Sequence, residues 1–184
     1  MELKKTQSIV ENDLSENIKF KANRQGIRLV ARAAIVRDDA ILLVAFDDEN
    51  GFHYNLPGGG VEPGETLYDA VQREVREETA AEVEVKELLF VWECFPPDYG
   101  FSLDEEPHCI DFLFHCTLCE GSEPRLPDNP DENEVAIHWI PLVEFPDVPL
   151  VPQIQARVIA VLQRDSNDPF CLSPDMTDEV KNLR

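Results

Sequence analysis

Residues 59–81 read GGVEPGETLYDAVQREVREETAA, and the placement of the acids in this stretch decides the fold and the chemistry together. Thr66 is suited to cap a helix running to Thr79, with Asp69 three residues on in a capping-box arrangement. At about 100° per residue, Leu67, Ala70, Val71 and Val75 share one arc and form the buried side. Asp69, Gln72, Arg73 and Arg76 fall opposite, toward water. Glu74 and Glu78 lie near the middle of the apolar arc, and Glu77 lies on its edge. Three carboxylates at i, i+3 and i+4 on an inward stripe break the binary pattern. They repel one another and lose hydration, a cost that sequences keep mainly at functional sites. A hard divalent cation relieves both penalties, since Mg²⁺ or Mn²⁺ prefers carboxylate oxygen.

Outward from this helix the chain alternates apolar runs with turn signals. Ile27 to Val36 and Ala40 to Phe46, separated by Arg37-Asp38-Asp39, predict a β-hairpin. Phe52 to Leu56 predicts a short strand, and Pro57 to Gly60 breaks regular structure where backbone must approach a neighbour. Val83 to Phe95, His108 to Leu118 and Glu134 to Ile140 predict three further strands, the second with Ile110, Phe112, Phe114, Cys116 and Leu118 on one face. Glu120 to Asn133 carries prolines and acids and predicts a solvated loop. Val151 to Arg164 predicts a closing helix with Ile154, Val158, Val161 and Leu162 inward. Strands interrupted by one helix and closed by another predict an α/β fold with a mixed sheet covered on both sides. Residues 1–24 predict an N-terminal extension, 25–165 the folded domain and 166–184 a tail.

Composition narrows the function. The 184-residue chain suits one domain, and 16 basic against 37 acidic residues give a net charge of −21. Such a surface repels nucleic-acid duplexes and anionic membranes, and a phosphorylated substrate would need cations between itself and the protein. No apolar run approaches the roughly 18 residues of a membrane span, and the N-terminus shows no signal-peptide core, so a cytoplasmic location is expected. The five cysteines lack the spacing of a disulfide framework. Cys116 and Cys119 form a single C-x-x-C near His108, Cys109 and His115, but a structural zinc site needs a second pair, so core thiols are the expectation.

The stretch resembles the Nudix box: Gly, five residues, Glu, seven residues, Arg-Glu, an apolar residue, any residue, Glu-Glu, any residue, Gly, an apolar residue. Gly59, Glu65, Arg73, Glu74, Val75, Glu77, Glu78 and Ala81 fit; a chance match is on the order of 10⁻⁵. Ala80 departs from the pattern, standing where the family has the glycine of a left-handed helix cap. The resemblance implies a Nudix-type α/β/α sandwich and a pyrophosphohydrolase cutting a P–O–P bond with Mg²⁺ or Mn²⁺. Glu74, Glu77, Glu78 and the Gly59 carbonyl would hold metal or activate water, and Arg73 and Glu65 would orient the glutamates. A further carboxylate from outside the box is expected among Glu134, Glu132 and Glu105, with Glu134 favoured. Arg28 and Arg32, alternating with apolar residues in the first strand, are candidates for substrate phosphate.

Pro97, sixteen residues past Ala81, matches the ADP-ribose-hydrolysing members; Tyr99, eighteen past, matches those cutting dinucleoside polyphosphates. The expected partner is a small nucleotide such as ADP-ribose, with dinucleoside polyphosphates and nucleoside triphosphates as alternatives. A non-catalytic nucleotide sensor would be expected to have lost box glutamates, all of which are present. An isomerase on the same fold would need further Cys and Glu residues that find no match. A homodimer stays open.

Overall fold

In a computed structural model, the described residues are 26–49, 51–95, 107–164 and 170–171. They form β1 (Arg28–Arg37), β2 (Ala40–Asp48), β3 (Gly51–Asn55), β4 (Gly58–Gly60), α1 (Leu67–Thr79), β5 (Val83–Cys94), β6 (Cys109–Leu118), β7 (Glu134–Pro141), a 3₁₀ turn (Phe145–Asp147), α2 (Gln155–Leu162) and β8 (Phe170–Cys171). The predicted hairpin is present. Asp38 and Asp39 both adopt positive φ (51° and 58°), the two-residue geometry that matches strand twist, and Arg37 faces Ala40 across it.

The strand order β3-β2-β1-β6-β5-β8, with β4 beside β1 and β7 beside β2, makes a mixed sheet. β1 runs parallel to β6, while β5 pairs with β6 and β4 with β1 in antiparallel fashion. Alternation along β1 splits the core. Ala31, Ala33 and Ile35 pack with Leu42, Phe114 and Cys116 against Ala70, Val71 and Val75 of α1. Ala34 turns to the other face with Leu43, Phe90, Trp92 and Leu113, under Phe145, Val158 and Val161. This is the α/β/α sandwich. Phe112, Phe114, Cys116 and Leu118 do share the α1 face, yet Leu113 is equally buried on the other side, because β6 lies inside the sheet.

Two boundaries differ from expectation. The last helix begins at Gln155, not Val151, because the preceding residues are spent on β3: Val151 N donates to the Tyr54 carbonyl at 2.8 Å. Pro152 also holds the residue before it out of helical conformation. Arg164, at φ 60°, leaves the helix at the other end. Within the 166–184 tail, Phe170–Cys171 adds a two-residue parallel strand to β5. No helix among the described residues is long and apolar enough to cross a membrane.

Candidate active site

The glutamate helix starts as its sequence dictates. Thr66 accepts from the Asp69 backbone and Asp69 returns a bond to Thr66 N, closing the capping box. It ends at Ala80 in the left-handed conformation (φ 51°), the position that the sequence pattern reserves for glycine. Between these ends, Glu78 is buried, Glu74 is half-buried and Glu77 is exposed, the gradient expected from the wheel.

The glutamates reach a cleft on the far side of the sheet from α1, and β4 makes this passage possible. A Cβ on Gly59 would stand 2.6 Å from the Glu74 carboxyl carbon, and one on Gly58 would meet the Ala31 carbonyl at 2.3 Å. Gly59 therefore leaves room for the Glu74 carboxylate, while Gly58 lets β4 lie close against β1. Gly58 N donates to Glu78 Oε2 at 2.8 Å, which fixes the buried acid to the strand.

Arg73 organises the outer part. Its guanidinium donates to Glu65 Oε1 at 2.7 Å, Glu65 Oε2 at 3.1 Å, Glu74 Oε1 at 2.8 Å, Glu77 Oε2 at 3.0 Å and the Gly60 carbonyl at 2.9 Å. The helical wheel sends Arg73 to water; instead, three carboxylates and a carbonyl draw its long side chain across the helix toward β4. The bond from Arg73 holds the Glu65 carboxyl below its ordinary range.

The cleft encloses about 780 Å³, and its floor follows the strand register. Gly60 faces Val30, Val30 faces Asp111 and Asp111 faces Trp92, so one row of residues crosses β4, β1, β6 and β5. Three steps between neighbouring strands make this row roughly 14 Å long. Arg28, Arg32, Cys109 and Cys94 line the same floor, and residues 150–153 form a wall.

Arg32 is bound by protein. Its Nε donates to Asp111 Oδ1 at 2.9 Å, and Nη1 reaches the Leu56 and Gly58 carbonyls at 3.2 and 3.4 Å. Arg28 is exposed, with its guanidinium over Gly60. Asp111 was not singled out in the sequence, although a lone acid inside the apolar run Cys109 to Phe114 is a signal of the kind that drew attention to Glu78. Asp131, at the cleft rim, gave no such signal because it lies in an acidic loop.

The carboxylates are electrostatically loaded. Burial pushes Glu78 up to about 8, reinforced by Glu74 and Glu134, while the Gly58 N–H and the Arg32 charge pull it down. Burial likewise raises Glu74, against the pull of Arg73, and raises Glu134 and Asp111. Glu134 is buried at the start of β7, its Oε2 taken by Asp131 N at 3.0 Å and its Oε1 left without a hydrogen-bond partner among the described residues. Glu132 is exposed, and Glu105, Pro97 and Tyr99 lie outside the described residues. No group of three or more acidic, histidine or cysteine side chains among the described residues is already arranged as a metal cage. The donor chemistry nevertheless suits a hard divalent cation: several carboxylates kept from water, one with an orphaned buried oxygen, beside a glycine-rich strand.

A sandwich of this topology, with this glutamate helix against a triple-glycine strand, defines a class of hydrolases acting on phosphoanhydrides. The NUDIX domain profile matches residues 27–162, and the chain belongs to that family. Among its relatives, the nucleoside triphosphatase NudI of Escherichia fergusonii is 34% identical over 97 residues, covering 48% of this chain and 67% of that protein. Its Escherichia coli O1:K1 counterpart is 33% identical over 95 residues, with the same coverage. Of solved structures, the MutT NUDIX hydrolase of Burkholderia pseudomallei is 30% identical with a TM-score of 0.58, over 75% of this chain and 98% of that one. An ADP-ribose pyrophosphatase of Streptococcus suis, 24% identical, shares the fold with a TM-score of 0.56, over 80% of this chain and 98% of that one.

Proposed function

We propose that this chain is a pyrophosphohydrolase dependent on Mg²⁺ or Mn²⁺, cutting the P–O–P bond of a nucleoside diphosphate linked to a further group, as in ADP-ribose. The observation that carries this reading is the burial of Glu78, with Glu74 half-buried beside it, at the edge of a cleft about four strands wide. Glu74, Glu77, Glu78, the Gly59 carbonyl and the orphaned oxygen of Glu134 are the groups that would hold the cation. When bound, the cation supplies charge neutralisation of the anhydride and lowers the pKa of water.

The protein's own residues do the rest. Arg73 and Glu65 keep Glu74 and Glu77 oriented, a dependence on outer groups usual for metal sites. Arg32, held by Asp111, fixes the Gly58 carbonyl and through that strand the acceptor position of Glu78. Arg28 stands where it meets a substrate phosphate over Gly60. The floor from Val30 to Trp92 receives the organic part of the substrate. Direct attack of water fits a cleft whose lining, among the described residues, includes no serine or threonine hydroxyl.

Nucleoside triphosphate hydrolysis is the second reading, favoured by the similarity to NudI. A panel of ADP-ribose, dinucleoside polyphosphates and nucleoside triphosphates with Mg²⁺ or Mn²⁺, scored for mononucleotide and phosphate, separates them. Hydrolysis lost in EDTA and restored by metal is expected. Turnover that persists in EDTA would remove the cation from the account, and tight nucleotide binding with no cleavage would make the chain a sensor.

A further inference from the structure

The end of the β5–β6 ladder brings two cysteines face to face on the cleft floor. Cys94 is the last residue of β5, Cys109 the first of β6, and the register pairs them directly. Opposed residues in an antiparallel ladder have Cα atoms roughly 4.5 or 5.5 Å apart. Both separations lie within the range of about 4.4–6.8 Å that a disulfide accepts. Both side chains line the cleft and are partly exposed, so a small oxidant reaches them. Cys109 Sγ donates to the Pro107 carbonyl at 3.4 Å.

The other cysteines lack this arrangement. Cys116 is buried opposite Val85, and burial pushes its thiol up to about 12. Cys119 is exposed beyond the end of β6, and Cys171 stands in register with Trp92.

We propose that Cys94 and Cys109 are a disulfide-forming pair, oxidised reversibly by small-molecule disulfides such as oxidised glutathione. One thiolate attacks the glutathione disulfide, forming a mixed disulfide and releasing one glutathione. The opposed thiolate then attacks the protein sulfur, closing the Cys94–Cys109 bond and releasing the second glutathione. The protein loses two electrons and two protons, and the glutathione disulfide gains them. The bond lies on the cleft floor, on the β5 side, two strands from β1.

The test is oxidation of the native full-length protein with excess oxidised glutathione, quenching, denaturing alkylation and peptide mapping. Mapping should show one cross-link, joining Cys94 to Cys109, and dithiothreitol should restore all five alkylatable thiols. Separate glutathione adducts at the two positions, or a cross-link from either to another cysteine, would overturn the pair. The Cys94→Ser protein should form no cross-link and should stop at the mixed disulfide on Cys109; a cross-link from Cys109 to another cysteine in that variant would overturn the pairing.

Discussion

Replacing Glu78 with Gln should stabilise the metal-free protein, and increasingly so as pH rises. Glu78 is buried, with its carboxyl raised from an ordinary value of 4.5 to about 8. Between those pH values the folded protein holds a proton that the unfolded chain has released, so stability falls as pH rises. Below about pH 4.5 both states are protonated and nothing is lost; above about pH 8 both are ionised and the loss is complete. At 1.36 kcal/mol per pH unit, the full loss is up to about 5 kcal/mol, of which about 3 has occurred by pH 7. Gln is neutral throughout, and its side-chain oxygen still accepts from Gly58 N. The surrounding charges, Arg32 on β1, Glu74 on α1 and Glu134 on β7, are unchanged, so the comparison isolates this one group. For a chain of this size, 3 kcal/mol corresponds to roughly 6–12 °C in Tm.

Thermal unfolding in EDTA, followed by circular dichroism from pH 4.5 to 8, should show the two proteins converging at the acid end and the variant ahead at pH 7. On the proposed metal site, Mg²⁺ should raise the Tm of the native protein more than that of the variant, because a ligand of the folded state alone stabilises it and Gln offers the cation no charge. Parallel curves for the two proteins, or a variant less stable at pH 7.5, would refute the view that Glu78 is held at a cost for the sake of a ligand.

Three further substitutions probe the supports of the site. Ala80→Gly removes the strain of a left-handed alanine and should add about 1 kcal/mol to stability in urea unfolding, with kcat unaltered. Arg73→Lys replaces a fork that serves Glu65, Glu74, Glu77 and Gly60 with a point charge, and should lower kcat about 10- to 100-fold while circular dichroism shows the fold intact. Asp111→Asn leaves the largely buried Arg32 without its counter-charge and should cost about 3 kcal/mol, read as a lower urea midpoint at constant m-value.

The parts of this protein legible in the sequence are those set by local periodicity and short-range capping. Thr66 and Asp69 marked the helix start, the apolar runs Ile27 to Val36 and Ala40 to Phe46 around Arg37-Asp38-Asp39 marked the hairpin, and Glu78 stood out because an acid on an apolar stripe is costly. The resemblance carried by Gly59 to Ala81 then supplied the fold. Less was legible wherever a partner lies far along the chain. Asp111 and Arg32 are 79 residues apart, and only the parallel pairing of β1 with β6 brings them together. Arg73 was placed toward water because a wheel knows nothing of Glu65 or the Gly60 carbonyl. The start of α2 was missed because β3, a hundred residues earlier in the chain, claims the backbone of Val151.

The most direct test of the metal–carboxylate site is hydrolysis of the best substrate in ¹⁸O-labelled water, read by mass spectrometry in a single turnover. Water attacking phosphorus at the Glu74, Glu77 and Glu78 cluster should place one labelled oxygen in one phosphate product on the first cycle, and only when Mg²⁺ or Mn²⁺ is present. Unlabelled products on that first turnover would mean that the oxygen came from the protein through a covalent intermediate, and the assignment of these three glutamates would fall.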